Sequence, residues 1–64
     1  MNEKFKQGDM VRLIDGLVVG EVYDGFELSE GMLFTERIVH EVTDISCLIR
    51  PYYYPFSILE RVEL

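Results

Sequence analysis

The groups that could do chemistry in this chain are His40, Cys47, three serines (Ser29, Ser46 and Ser57) and twelve carboxylates. His40 and Cys47 flank Asp44, and the segments holding them read as adjacent antiparallel strands. A thiol–imidazole pair can therefore be drawn. It lacks the third group that orients the base in nucleophilic catalysis. A lone cysteine in a strand usually packs as a small hydrophobe. The acids of residues 15–30 do not follow calcium-loop spacing, and one His with one Cys cannot close a zinc site. Carboxylate pairs of the glycosidase kind are easily drawn among so many acids. A chain of 64 residues, however, has no deep cleft in which to raise one carboxyl pKa selectively. The expectation is a non-enzymatic protein, with no catalytic residue, metal or cofactor.

Binding chemistry is better represented. Tyr52-Tyr53-Tyr54 is a β-prone run, and alternate members of a strand face opposite sides. Either Tyr52 and Tyr54 face out or Tyr53 does. Exposed tyrosines are common interface anchors. Tyr23 and Phe26, in an acidic segment, can join the same patch. The expected partner-binding residues are Glu21, Tyr23, Asp24, Phe26, Glu27, Tyr52 and Tyr54. With Arg50 beside the tyrosines, stacking of a nucleotide base is the alternative chemistry.

Charge narrows the choice of partner. Twelve acids against six Lys and Arg give a net charge of −6. Nucleic-acid binders need Lys and Arg to displace counterions from phosphate, so direct nucleic-acid binding is not expected. Anionic membrane surfaces are disfavoured for the same reason. Residues 9–44 hold nine of the acids against only Arg12 and Arg37. So dense a stretch suits a basic protein surface, either complementing it or mimicking a phosphate backbone.

The elements that must position these residues are short strands. Sixty-four residues make one domain, here taken as 1–64. The single cysteine excludes an intramolecular disulfide, and the opening residues lack a signal-peptide pattern. No apolar run has the length of a membrane span. The expected setting is the cytoplasm of a host cell. At this size the apolar area buried roughly balances the entropy of ordering the chain. The monomer is expected to be marginal and a homodimer is favoured.

Gly8-Asp9 signals a turn, after which Val11 and Leu13 share one face of a strand. Residues 15–36 hold four of the five glycines and six acids. They read as a long acidic loop in which 17–19 and 21–23 pair as edge strands and a single turn forms around Glu30–Leu33. The segment 37–43 is a strand by its β-branched content, and 45–50 is its return. Pro51 and Pro55 frame the tyrosines as an edge strand or bulge. Residues 55–60 read as one helical or 3₁₀ turn with Pro55 near its start. Residues 61–64 close as a last strand. The predicted core includes Val11, Leu13, Val42 and Leu48.

Phe5-Lys6-Gln7-Gly8-Asp9-Met10-Val11-Arg12 matches the F-K-x-G-D-x-V-R opening of many SH3-like and KOW-like modules. The tail from Tyr52 to Glu60 resembles their ending of an aromatic strand, a 3₁₀ turn and Leu-Glu. With Glu30-Gly31-Met32 before a hairpin, the chain resembles short SH3-like proteins encoded by phages and prophages of Gram-positive bacteria. The resemblance implies an all-β, SH3-like small barrel of about five antiparallel strands, with a long acidic loop and a C-terminal 3₁₀ turn. It also implies an acidic binding module that inhibits a host protein with a basic surface, of the anti-defence kind. Sequestration of a signalling nucleotide is the alternative function, and an accessory role in virion assembly a third.

Overall fold

The computed structural model describes residues 4–62, and among these the regular structure is strands and two 3₁₀ turns. The strands are β1 (Met10–Leu13), β2 (Val22–Tyr23), β3 (Phe26–Glu27), β4 (Arg37–Ile38), β5 (Glu41–Val42), β6 (Ser46–Ile49), β7 (Tyr52–Pro55) and β8 (Leu59–Arg61). The 3₁₀ turns are η1 (Glu30–Met32) and η2 (Phe56–Ile58). All pairings are antiparallel, giving sheets in the order β4-β1-β8 and β5-β6-β7 and a separate hairpin β2-β3. The fold is all-β. The expected closing strand begins earlier than the sequence suggests, at Leu59, and Glu63 and Leu64 lie outside the described residues.

The chain enters through a turn built on Gly8. Asp9 N–H donates to the Lys6 carbonyl at 3.0 Å, and the Asp9 carboxylate accepts from Lys6 N–H at 2.8 Å. Gly8 sits at φ +92°, in the left-handed region that glycine enters without penalty. Beyond it β1 becomes the central strand of the first sheet. Val11 is fully buried, Leu13 packs half-buried on the core, and Arg12 faces out to an ion pair with its cross-strand neighbour Glu60.

The single strand expected over 37–43 is divided between two sheets. Arg37 and Ile38 pair with β1, whereas Glu41 and Val42 pair with β6. The hand-over occurs at Val39 and His40. Val39 N–H donates to the Asp9 carbonyl at 2.9 Å, and His40 N–H donates to the Leu48 carbonyl at 2.8 Å. Val39 is buried at this corner. The second corner is η2, which carries the chain from β7 into β8. Ile58 is buried there, and its carbonyl accepts from Ile14 N–H at 3.0 Å.

The core lies between the two sheets and comprises Phe5, Val11, Val39, Cys47, Ile49, Tyr54, Ile58 and Leu59. This corrects part of the expectation. Val42 is half-buried against the core, and Leu48 lies outside the cluster, on the opposite face of β6 from Cys47 and Ile49. The reason is register. Ile49 pairs with Tyr52 across a two-residue Arg50-Pro51 turn with a cis peptide bond. Cys47 therefore pairs with Tyr54, and Leu48 with Tyr53 on the other face. A one-residue change of parity exchanges the faces.

Candidate functional site

The acidic segment is ordered by a hairpin, offset from the one expected at 17–23. Residues 17–19 do not pair with 21–23; β2 pairs instead with β3, Val22 opposite Glu27 and Tyr23 opposite Phe26. The two connecting residues, Asp24 and Gly25, have φ of +52° and +80°. Positive φ at both central positions is the mark of a type I′ turn, and Asp-Gly is among its preferred sequences. Leu28 continues the ladder: Gly20 N–H donates to its carbonyl at 2.8 Å, and its own N–H donates to Glu21 at 3.0 Å. Leu28 is buried and anchors the hairpin base.

Two contacts fix the hairpin to the body. The Ser57 hydroxyl, on η2, donates to Asp24 Oδ2 at 2.6 Å. The Phe26 ring lies 5.0 Å from the Tyr54 ring, centroid to centroid. Tyr54 is 3% exposed, and its hydroxyl donates to the Met32 carbonyl at 2.6 Å, which ties η1 to β7. Burial raises the Tyr54 phenol above its ordinary value. Phe34 completes the cluster with an edge-on contact at 5.3 Å.

Between the hairpin tip and the outer face of the second sheet runs an open groove of about 600 Å³. One wall is Asp24, Gly25 and Phe26; the other is Ile45, Ser46, Tyr53 and Pro55. Ile45 is 75% exposed and Tyr53 51% exposed, large apolar groups left in water at the rim. Ile45 stands at the β5–β6 turn, which is held rigid by Thr43. Its Oγ1 accepts from the N–H groups of Ile45 at 3.2 Å and Ser46 at 2.9 Å. Phe56 N–H donates to the Ile45 carbonyl at 3.1 Å. The groove is thus built from two turns and the strand β7, and it carries one carboxylate, that of Asp24.

The structure divides the seven residues singled out from the sequence. Asp24 and Phe26 line the groove. Glu21 and Glu27 are exposed on the same hairpin, outside its lining. Tyr23 is half-buried, and its hydroxyl oxygen accepts from Val18 N–H at 2.9 Å, steadying the preceding loop. Tyr52 is 37% exposed, on the other side of β7 from the groove. Tyr54 faces inward and is removed from the surface. Of the two parities open for the tyrosines, its pairing with Cys47 selects the one that leaves Tyr53 outward. Gly25, Ile45, Ser46, Tyr53 and Pro55, the rest of the lining, lie outside those seven. The Asp24-Gly25 dipeptide marks the hairpin turn, and the pairing across Pro51 puts Tyr53 and Pro55 on the face that borders the groove.

Cys47 is completely buried, and burial, with a smaller effect of Asp9, pushes its thiol up to about 11. His40 Nδ1 accepts from Arg50 N–H at 3.4 Å. The two side chains have separate roles, one in the core and one at a turn. Among the described residues no group of three His, Cys, Asp or Glu is arranged to hold a metal ion, and no helix is long and apolar enough to cross a membrane. No family model matches the chain, nor does any curated protein or solved structure.

Proposed function

We propose that this chain acts by binding, and that the groove between the Asp24-Gly25 turn and Tyr53 receives a basic segment of a partner protein. The observation that carries this reading is the groove's composition. Rigid apolar walls with exposed Tyr53 and Ile45 give a partner side chain area to bury. Asp24 supplies one carboxylate at the rim, and Glu21 and Glu27 extend the negative field along the hairpin. A net charge of −6 steers a basic partner toward this face. We read the two sheets joined at two corners as an SH3-like small barrel, left open beside the hairpin. In line with the resemblance to phage proteins, the partner we propose is a host protein whose basic surface is covered and inhibited. Self-association into a homodimer is part of the same reading, since a small domain gains stability by burying further apolar surface.

The test is capture of the partner from a Gram-positive host lysate, followed by amide hydrogen exchange on the complex. Protection is expected at 24–27 and 45–55. Protection confined to the Arg12–Glu60 face would place the interface elsewhere and overturn the proposal.

A further inference from the structure

The four arginines fall into two classes. Arg12 is paired with Glu60, and Arg61 with Asp9 at 3.6 Å. Neither Arg37 nor Arg50 forms an ion pair with a carboxylate among the described residues. This is unexpected in a chain with twice as many acids as bases. Glu36, the chain neighbour of Arg37, acts instead on Arg12 and lines the same depression as Arg12 and Glu60. The fold brings the Arg37 side chain to the backbone of Arg50. Arg37 Nη2 donates to the Arg50 carbonyl at 3.2 Å, so its guanidinium is held against the Arg50-Pro51 turn. His40 fixes the same turn by accepting from Arg50 N–H at Nδ1. Tyr52, directly after the turn, is exposed and braced by Tyr54 at 6.3 Å, edge to face.

We infer that the corner formed by Arg37, Arg50 and Tyr52 is a binding site for a phosphate group carried on a flat ring, the chemistry of a nucleoside phosphate. A carboxylate has two oxygens and is satisfied by one guanidinium fork. The Arg37 guanidinium is held at the turn and the Arg50 side chain starts from that turn without an internal partner among the described residues, so both can reach one anion there; a diphosphate has the acceptor oxygens for two forks. Tyr52 offers a π-face of the kind on which bases stack. The site lies on the other side of β7 from the groove, so it is independent of the partner proposed there.

The test is titration of the isotopically labelled full chain at low salt with ADP, pyrophosphate, adenosine and a tetraglutamate peptide. The readouts are the arginine Nε–H and tyrosine ring signals. ADP is expected to give saturable shifts at Arg37, Arg50 and Tyr52, with pyrophosphate several-fold weaker and adenosine silent at the arginines. The Arg50 side chain makes no intramolecular hydrogen bond or ion pair among the described residues, so Arg50→Gln keeps the fold. It should weaken ADP about tenfold, the loss of one charge-assisted contact. Arg50→Lys should lose part of that, Tyr52→Leu should bring ADP down to pyrophosphate, and Arg12→Gln should change nothing. Absence of saturable shifts, or equal affinity in Arg50→Gln, would overturn the site. ADP and pyrophosphate binding alike would overturn the role of the ring. Tetraglutamate binding tighter than ADP would make the corner a docking point for acidic protein instead.

Discussion

Replacing Ser57 by Ala removes one hydroxyl and tests whether the hairpin is held to the body as described. The Ser57–Asp24 bond is short, at 2.6 Å, and its acceptor is a carboxylate. Hydrogen bonds to charged groups are worth about 1.5–3 kcal/mol when sheltered. Both residues are exposed, so solvent screening reduces this to roughly 1 kcal/mol. In a domain of this size 1 kcal/mol lowers Tm by about 4–8 °C. Ser57→Ala is therefore expected to melt about 4–8 °C lower, measured by circular dichroism at neutral pH. Asp24→Asn is the matched partner, because Asn tolerates the positive φ at position 24 and still accepts a neutral hydrogen bond. It should cost less than Ser57→Ala. The double variant should cost clearly less than the sum of the two, since both changes act on one contact. Hydrogen exchange gives a local readout: the amide of Leu28, at the hairpin base, should exchange faster in Ser57→Ala. A Tm within 1 °C of the parent, or strictly additive losses, would refute the contact as the fastening of the hairpin.

Three further outcomes follow from the packing. Ile49→Ala should destabilise by about 2–5 kcal/mol, whereas Leu48→Ala should cost far less, because only Ile49 sits in the closed core; denaturant melts of the pair decide this. Glu21→Lys with Glu27→Lys should leave Tm nearly unchanged while slowing association with a basic partner, as exposed charges contribute little to folding. Cys47 should resist a thiol reagent at neutral pH on the native protein. Its folded-state value, raised from 9.0 to about 11, means that the buried thiol favours folding below pH 9. That contribution, roughly 2–3 kcal/mol, should be lost as pH rises from 9 to about 11. Tyr54, also raised by burial, acts in the same direction. An alkaline melt that stays flat over this range, or rapid labelling of the folded protein, would contradict the burial.

Much of the all-β architecture is legible in the residues. The Gly8-Asp9 turn, the inward side of β1, the turn at Glu30–Met32 and the η2 turn after Pro55 all follow from local rules. Local rules failed where the answer depends on long-range register. The parity of 46–49 cannot be read from Cys47-Leu48-Ile49 alone, since all three are apolar. It is set by the pairing of Ile49 with Tyr52 across Pro51. The same pairing decides which tyrosine is exposed. The division of 37–42 between two sheets likewise depends on which strand each half meets, not on its own composition. The hairpin at 22–27 is a different case: Asp24-Gly25 announces a type I′ turn locally, but the many nearby glycines and valines offered a competing pair. The contact of the Arg37 side chain with the Arg50 carbonyl is invisible in sequence, because it depends on the corner at Val39 and His40.

The most direct test of the central claim is the dissociation rate of the captured partner from Tyr53→Ala, beside Tyr52→Ala as the control on the opposite side of β7. If Tyr53 is the desolvated anchor of the groove, its loss costs about 2 kcal/mol. The off-rate should then rise roughly thirtyfold with little change in on-rate. Tyr52→Ala should leave both rates near the parent values. An off-rate unchanged by Tyr53→Ala, or raised instead by Tyr52→Ala, would contradict the assignment of the groove as the binding site.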